Sequence, residues 1–194
     1  MKKNLILSLL TAIIVLSSCQ KENDTNNTAI QGTYKLKSLT AKTNSTITGS
    51  DGEKVVTVSD YATTNNQGTL VFDQSNFAYT GLTYSINTEA TTYLYLDNEL
   101  LDSLSFPLQF TLPSTNGTTT YKLVGADSIY FPQGSVTMGG AGATQTLASG
   151  GRYNLNGNLL TITQHISKDS TFQDSGVTFI MNQSGVTSMI IEKQ

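Results

Sequence analysis

The side chains that could perform enzymatic chemistry are scarce in this chain and stand apart from one another. His165 is the only histidine in the 194-residue sequence, whereas nucleophilic catalysis needs a nucleophile, a base and an orienting group held together. Asp169 and Asp174 follow in a stretch that we interpret as a polar loop, and the sequence has no Gly-x-Ser-x-Gly elbow. We therefore interpret His165 as a solvated histidine at a strand end. We predict that the chain is not an enzyme and has no catalytic residues.

Metal chemistry is weakly indicated as well. The stretch LDNELLDSL, residues 96–104, places three carboxylates close together, but it lacks the D-x-[DN]-x-[DN]-G spacing that wraps ligands around calcium. One histidine and one cysteine do not supply a transition-metal site, which usually needs several such ligands. We predict instead a short helical turn capped by Asp97, with Leu100, Leu101 and Leu104 packing inward. No metal and no cofactor is expected.

Two further patterns suggest chemistry without specifying it. Asp60, Asp73 and Asp127 could pair for sugar hydrolysis, but the separation of the carboxylates decides that mechanism and the sequence does not fix it. The glycine-rich stretch 134–143 lacks the Gly-Lys-Ser/Thr ending of a phosphate loop. We interpret Gly139 to Gly151 as a long loop, a kind of segment that is often functional or disordered.

The only cysteine, Cys19, lies where an apolar run meets a polar segment. A cationic head and the uncharged run Leu5–Leu16 are typical of a secretory signal, and the run is shorter than the roughly 20 residues that span a bilayer. Leu16-Ser17-Ser18-Cys19 resembles the lipobox of bacterial lipoproteins, which implies cleavage before Cys19 and acylation of that residue. Two or more acyl chains give stable membrane anchoring. The alternative is an ordinary signal peptide with an incidental cysteine.

These features divide the chain into three parts. Residues 1–18 are predicted to be a lipoprotein signal peptide, and residues 19–29 a flexible polar tether that carries the lipidated Cys19. Gln20 after the cysteine, where retained lipoproteins have Asp, implies by the same resemblance passage to the outer membrane, on its periplasmic face or at the cell surface. The tether resembles those of surface-displayed lipoproteins from Bacteroidota. Residues 30–194 are left as one domain.

The composition excludes one class of partner and one kind of covalent support. The net charge is −3 and no basic patch is present, so nucleic acid is not expected as a partner. No second cysteine is available for a disulfide within the chain. The hydrophobic core must therefore stabilise the domain.

Tyrosine provides the best indication of a ligand. Five tyrosines lie on stretches that alternate in strand fashion, and we predict them as ligand-binding residues: Tyr79, Tyr84, Tyr93, Tyr95 and Tyr121. A tyrosine offers an apolar ring with a polar tip, which suits a pocket for an amphipathic or sugar-like molecule. The alternative is that the rings fill the core or cover the sheet exterior. Tyr93 and Tyr95 are expected to share a face, opposite Leu94 and Leu96.

The elements that must position these residues are short alternating segments between turn signals, which indicate an all-β domain. We predict hairpins around Asp73–Asn76, around Asn156-Gly157, around Asn182–Gly185, and at Ser114–Gly117. Successive hairpins indicate a meander, and closure into a barrel removes its edges. We therefore predict an up-and-down antiparallel β-barrel of eight to ten strands, with a β-sandwich as the alternative.

Three stretches in order resemble the lipocalin-like domains carried by many lipoproteins of Bacteroidota. They are Gly32-Thr33-Tyr34-Lys35-Leu36, the segment Leu70–Tyr79, and the segment Gly151–Ile162. The family usually has Trp where this chain has Tyr34, and the region from about Thr83 to Ser149 has no counterpart. The resemblance implies a lipocalin-like barrel for residues 30–194.

Taken together, these patterns predict a lipid-anchored binding protein of the outer membrane. It would hold a small apolar or amphipathic ligand, or a glycan, in the mouth of a lipocalin-like barrel. The membrane itself is the second expected partner, through the acyl chains on Cys19. The alternative function is a surface interaction or structural lipoprotein that binds a protein or glycan through its loops.

Overall fold

A computed structural model describes residues 28–134 and 148–194. Within these ranges every regular element is a β-strand. The strands are β1 (Gly32–Gly49), β2 (Glu53–Ala62), β3 (Thr64–Phe72), β4 (Asn76–Leu96), β5 (Glu99–Thr120), β6 (Lys122–Val124), β7 (Ser128–Phe131), β8 (Ser149–Asn156), β9 (Leu159–Asp174) and β10 (Val177–Lys193).

Strands β2 and β3 together act as one bent strand between β1 and β4. The first residues of β1 pair with β3, from Gly32↔Phe72 onward, and its second half pairs with β2, from Thr40↔Ala62 onward. Strand β4 divides in the same way, pairing with β3 near its start and with β2 near its end. Thr63 alone separates β2 from β3.

The far end of the sheet is connected back to β4 by the polypeptide chain itself, through β6 and β5. Strand β10 pairs with β1, and pairing continues through β9, β8 and β7 to β6. Strand β6 follows β5 after the single residue Tyr121, and β5 pairs with β4. If β2–β3 and β5–β6 are each counted as one bent strand, eight strands surround the core. The prediction of an all-β, up-and-down antiparallel fold of eight to ten strands is confirmed, in a barrel-like form.

An aromatic cluster fills the end of this barrel where β1 begins. Phe72 lies at its centre, with ring centroids 4.5 Å from Phe77, 5.2 Å from Tyr121 and 5.9 Å from Tyr34. Phe131 stands 6.0 Å from Phe77. All five side chains are buried, and edge-to-face pairs of this kind stabilise a core beyond their area burial. This end of the barrel is therefore occupied by side chains.

Six strands continue past the core into a second region, which we call the distal sheet. It comprises the strand segments 42–49, 53–60, 87–96, 99–107, 164–174 and 177–187, in the order β9–β10–β1–β2–β4–β5. Three hairpin connections lie at its far end: Ser50–Gly52, Asp97-Asn98 and Ser175-Gly176. Asp97, Asn98, Ser175 and Gly176 all have positive φ, as a type I′ turn requires, and this turn matches the twist of paired strands.

Two predicted hairpins are confirmed. β3 and β4 pair across the turn at residues 73–75, where the Asp73 carboxylate accepts the N–H groups of Ser75 and Asn76 at 2.9 and 2.6 Å. β8 and β9 form the hairpin expected near Asn156-Gly157. The two turn residues are Gly157 and Asn158, one position later than predicted.

Three local predictions are wrong. Asn182–Gly185 lies inside β10 and forms no turn. A Cβ on Gly185 would come within 2.7 Å of the Lys42 carbonyl oxygen. The glycine is therefore needed for the close approach of β1 and β10 at this point. Ser114–Gly117 lies inside β5, where a register shift takes the place of a turn. The expected helical turn after Asp97 is instead the β4–β5 hairpin, and its three leucines lie exposed on β5.

Candidate functional site

The five tyrosines predicted as ligand-binding residues do not form one site. Tyr84 and Tyr121 are buried in the core, and Tyr79 packs on Phe77 with its ring over Gly117. Tyr93 and Tyr95 are half-buried on the opposite face of β4. Their shared face, opposite Leu94, agrees with the prediction. The structure thus separates three core-side rings from two outer rings.

The two buried tyrosines are held as neutral phenols. Burial, with a smaller contribution from neighbouring Tyr61, raises the pKa of Tyr84 to about 12. Burial also raises the pKa of Tyr121 to about 12, with Asp73 and Tyr34 adding to it. The Tyr121 hydroxyl donates to the carbonyl oxygen of Asp73. These groups stabilise the fold, and the Tyr121 hydroxyl already has a protein partner.

The outer pair lies on a polar surface. Lys54, directly opposite Tyr95 on β2, places its ammonium 4.8 Å from the centre of that ring, a geometry in which cation and ring attract. Tyr93 lies between Val56 on β2 and Ser103 on β5. These two rings therefore cover the outside of the distal sheet.

The inner face of the distal sheet continues the face that lines the core. Side chains alternate along a strand, so Thr43 and Ser59 lie on the same side as the buried Ala41 and Tyr61. The hydroxyls of Thr43 and Ser59 are 2.7 Å apart across the β1–β2 ladder. Those of Thr57 on β2 and Thr92 on β4 are 2.9 Å apart. The middle of this face is a row of paired hydroxyls.

Apolar side chains flank the hydroxyls on β4 and β5. Leu94, Leu104 and Phe106 point to the inner face and are 41%, 65% and 39% exposed. Thr92 pairs with Leu104, and Ala90 pairs with Phe106, so these apolar groups adjoin the hydroxyl row directly. Large apolar side chains left open on the face that continues a core mark a place where a ligand or partner can bind.

A second apolar group lies on the inner face at β9 and β10. The rings of Phe172 and Phe179 stack with centroids 5.2 Å apart and an interplanar angle of 18°, and Met181 follows on the same face of β10. Ser170 is paired with Met181, and its hydroxyl oxygen is buried with no hydrogen-bond partner among the described residues. A buried, unsatisfied hydroxyl is costly unless a water or ligand atom meets it.

The candidate catalytic and carboxylate residues are dispersed. His165 is exposed on the outer face within β9, not at its end, because β9 runs on to Asp174. Asp60 pairs with Lys42 at 2.9 Å, and Asp127 pairs with Arg152 at 2.7 Å. In the part of the chain that the structure describes, no three His, Cys, Asp or Glu side chains are grouped so that they could hold a metal ion.

Several predictions fall on residues outside the described ranges. They concern the signal peptide, Cys19, most of the tether, and residues 139–147 of the long loop. Gly150 and Gly151, at the end of that predicted loop, belong to β8. Between residues 28 and 134 and from 148 to 194, the structure has no helix with the length and apolar character needed to cross a bilayer.

No family model, no curated protein and no solved structure matches this chain.

The exposed apolar residues of β5 were missed as site candidates, although the sequence carries their signal. From Leu104 to Leu112 a leucine or a phenylalanine stands at every second position, as LSFPLQFTL. Such alternation is typical of a strand with one apolar face. In the structure, Leu104 and Phe106 of this stretch are exposed, whereas Leu108, Phe110 and Leu112 are half-buried.

Proposed function

We propose that this protein is a lipid-anchored binding protein of the outer membrane that captures a small apolar or amphipathic molecule on the inner face of its distal sheet. One observation carries the binding role. Beyond the filled core, the same face continues with accessible Leu94, Leu104 and Phe106 beside a row of hydroxyls. A lipocalin-like fold, inferred from the sequence resemblance, is the architecture in which such a role is familiar.

The chemistry of this face suits a molecule with one apolar and one polar part. Covering apolar surface contributes roughly 25 cal/mol per Å², so burial against the leucines and the phenylalanine supplies affinity. The hydroxyl row beside these side chains offers hydrogen bonds to the polar part. The aromatic cluster occupies the core end, so the ligand belongs above it, on the distal sheet.

The binding test compares residues on the two faces of β5. The purified domain is incubated with an extract of bacterial envelope lipids and analysed by native mass spectrometry, and affinity is measured with the apolar dye 1-anilinonaphthalene-8-sulfonate. Leu104→Ser combined with Phe106→Ser removes inner-face apolar surface. Leu100→Ser is the matched control, since Leu100 is opposite Tyr95 on the outer side and is similarly exposed at 56%.

We expect the double variant to weaken dye binding by about tenfold or more, because each buried leucine or phenylalanine is worth about 1.5–3 kcal/mol. Leu100→Ser should leave affinity nearly unchanged. Absence of any retained lipid, or equal losses in both variants, contradicts the proposal.

The anchor is tested separately. Cys19→Ala should abolish acylation and release the protein from the envelope fraction, because the proposed attachment depends on acyl chains at that residue. Intact-mass measurement of the mature protein checks the acyl group directly. A Cys19→Ala protein that still matures and stays in the envelope would refute the anchor and leave the binding role to the test above.

A further inference from the structure

Strand β5 leaves one edge of the sheet open. It pairs with β4 along its length, and within residues 28–134 and 148–194 its other edge has no strand partner. An unpaired edge presents a row of N–H and C=O groups that can accept another strand. Glu99–Phe106, at the start of β5, belongs to the distal sheet and lies beyond the core.

The side chains of this edge guard it only in part, through the inward-pointing carboxylate of Asp102 and a bulge at Leu101. Exposed edges are commonly protected by lysine, by proline or by short length, whereas β5 has no Lys or Arg and is a long strand. Leu101 and Leu104 are 64% and 65% exposed. The prolines of β5 are Pro107 and Pro113, so Glu99–Phe106 is free of the residue that cannot donate to a ladder.

Pro107 also indicates which backbone groups face outward. Proline is tolerated in a paired strand when its nitrogen points away from the partner, and Pro107 lies opposite Glu89 on β4. The register is uninterrupted from Asp102 to Leu112. Because successive residues alternate, Ser103 and Ser105 present their backbone groups to the open edge, as Pro107 does. The Ser103 N–H is taken by the Asp102 carboxylate, so the Ser105 N–H is the donor left open between them.

The charge at this edge has one sign. Glu99 and Asp102 are exposed carboxylates on β5, and neither is in an ion pair among the described residues. Asp102 accepts the N–H of Ser103 at 2.7 Å. Asp102, Leu104 and Phe106 all lie on the inner face. A strand laid beside β5 would thus meet a carboxylate followed by two apolar side chains on that face.

We infer that Glu99–Phe106 is a docking edge for an extended polypeptide segment that adds one strand to the distal sheet. Main-chain hydrogen bonds to the Ser105 N–H and to the carbonyl oxygens of Ser103 and Ser105 provide affinity, and alternate side chains provide selectivity. On the inner face the segment carries apolar residues opposite Phe106 and Leu104 and a basic residue opposite Asp102. The inference does not rest on the small-molecule role, because it depends on the backbone edge, but Leu104 and Phe106 belong to both surfaces.

The test uses two synthetic peptides with blocked ends. The first has the sequence Val-Thr-Val-Thr-Lys-Thr-Lys-Thr, which places two valines and two lysines on one face, with the first lysine opposite Asp102 in antiparallel register. The second has Glu in place of Lys. Binding of the fluorescently labelled peptides to the purified domain is measured by anisotropy, and the oligomeric state of the domain is measured by sedimentation.

Ser105→Pro is the edge-blocking variant, and Ser105→Thr is its matched control because threonine keeps the N–H. We expect the lysine peptide to bind, Ser105→Pro to weaken it about tenfold through the lost main-chain bonds, and Ser105→Thr to change it less than about twofold. Asp102→Asn should weaken binding of the lysine peptide about threefold and make that binding less dependent on salt concentration. An N-methylated lysine peptide, which cannot donate to the edge, should fail to bind even if Ser105→Pro does not fold.

Equal binding of the two peptides, or undiminished binding by Ser105→Pro or of the N-methylated peptide, would overturn the inference. A domain that is dimeric and becomes monomeric in Ser105→Pro would also overturn it, since the occupant would then be a second copy of this chain. Dye binding should be unaffected by Ser105→Pro, so failure of this inference is distinguishable from failure of the small-molecule role.

Discussion

Thr63 and Leu39 are joined by two hydrogen bonds at the bend between β2 and β3. The Thr63 N–H donates to the Leu39 carbonyl at 2.8 Å, and the Leu39 N–H donates to the Thr63 hydroxyl at 2.9 Å. The hydroxyl in turn donates to the Asn66 side chain at 2.6 Å. A side chain thus replaces a ladder partner, and the bent strand stays attached to β1 where both residues are buried.

Replacing Thr63 with valine should therefore destabilise the domain at constant volume. The Leu39 N–H would be buried without a partner, at a cost of about 1–3 kcal/mol. Urea unfolding measures the free energy of unfolding. Thr64→Val, one residue further on an exposed position, should change it by less than about 0.5 kcal/mol. Equal effects of the two variants would show that the hydroxyl of Thr63 is unimportant.

Phe72 and Val71 provide a matched pair on β3. Phe72 is buried among three other rings, whereas Val71 points outward. Phe72→Ala should lower the free energy of unfolding by about 3–5 kcal/mol through lost burial and a cavity. Val71→Ala should cost less than about 1 kcal/mol. Urea unfolding distinguishes them, and a loss below about 1 kcal/mol for Phe72→Ala would contradict a filled core.

The stability of the protein should fall in alkaline solution. Tyr84 and Tyr121 have folded-state pKa values of about 12, against an ordinary value of 10.0. Because the folded state holds the neutral phenol, their contribution is complete below about pH 10 and is lost as pH rises toward about 12. Spectrophotometric titration should show these phenols ionising last. Tyr84→Phe should remove one late-ionising group, and a single uniform titration of all tyrosines would contradict the assignment.

Asp73 should make an opposite, acid-side contribution. Hydrogen bonds from the backbone of Ser75 and from the backbone and side chain of Asn76 hold the pKa of Asp73 below its ordinary value of 3.8. The contribution is present above the ordinary pKa and is lost as pH falls through the lowered one. Asp73→Asn should be less stable than the parent at neutral pH, and the difference should shrink in strong acid. A difference independent of pH would argue against the carboxylate.

The sequence predicts the barrel better than it predicts the distal sheet. Segments such as Leu70–Phe72 alternate around a buried face and end in a recognisable turn at Asp73, so pattern and structure agree. In β5 the leucines at 100, 101 and 104 match helical spacing as well as they match a strand. A bulge at Leu101 breaks the strand alternation at this point. Asp97 and Asn98 adopt positive φ angles, which form the turn of a hairpin in place of a helix.

Turn-like stretches that contain glycine are also hard to predict from neighbouring residues alone. Asn182–Gly185 has the composition of a turn, yet Gly185 serves a close contact with Lys42 on β1, a residue far away in sequence. At Asn116 the turn-like composition belongs to a register shift in β5, where the Asn116 side chain accepts the Gly81 N–H at 2.7 Å. The tyrosines likewise could not be sorted into core and surface, because that depends on which strand lies opposite each ring.

The pairing of β1 with β10 joins two strands that are far apart in the sequence. The contact between the first and last strands runs from Tyr34↔Lys193 to Gly49↔Phe179, so the seam with the longest intervening chain is also among the most extensive. Long-range pairing of this kind slows folding, and no part of the seam can form until β10 is reached in synthesis. A chain without β10 would leave the edge of β1 that faces β9 unpaired. Strand β10 therefore holds β1 and β9 in one sheet.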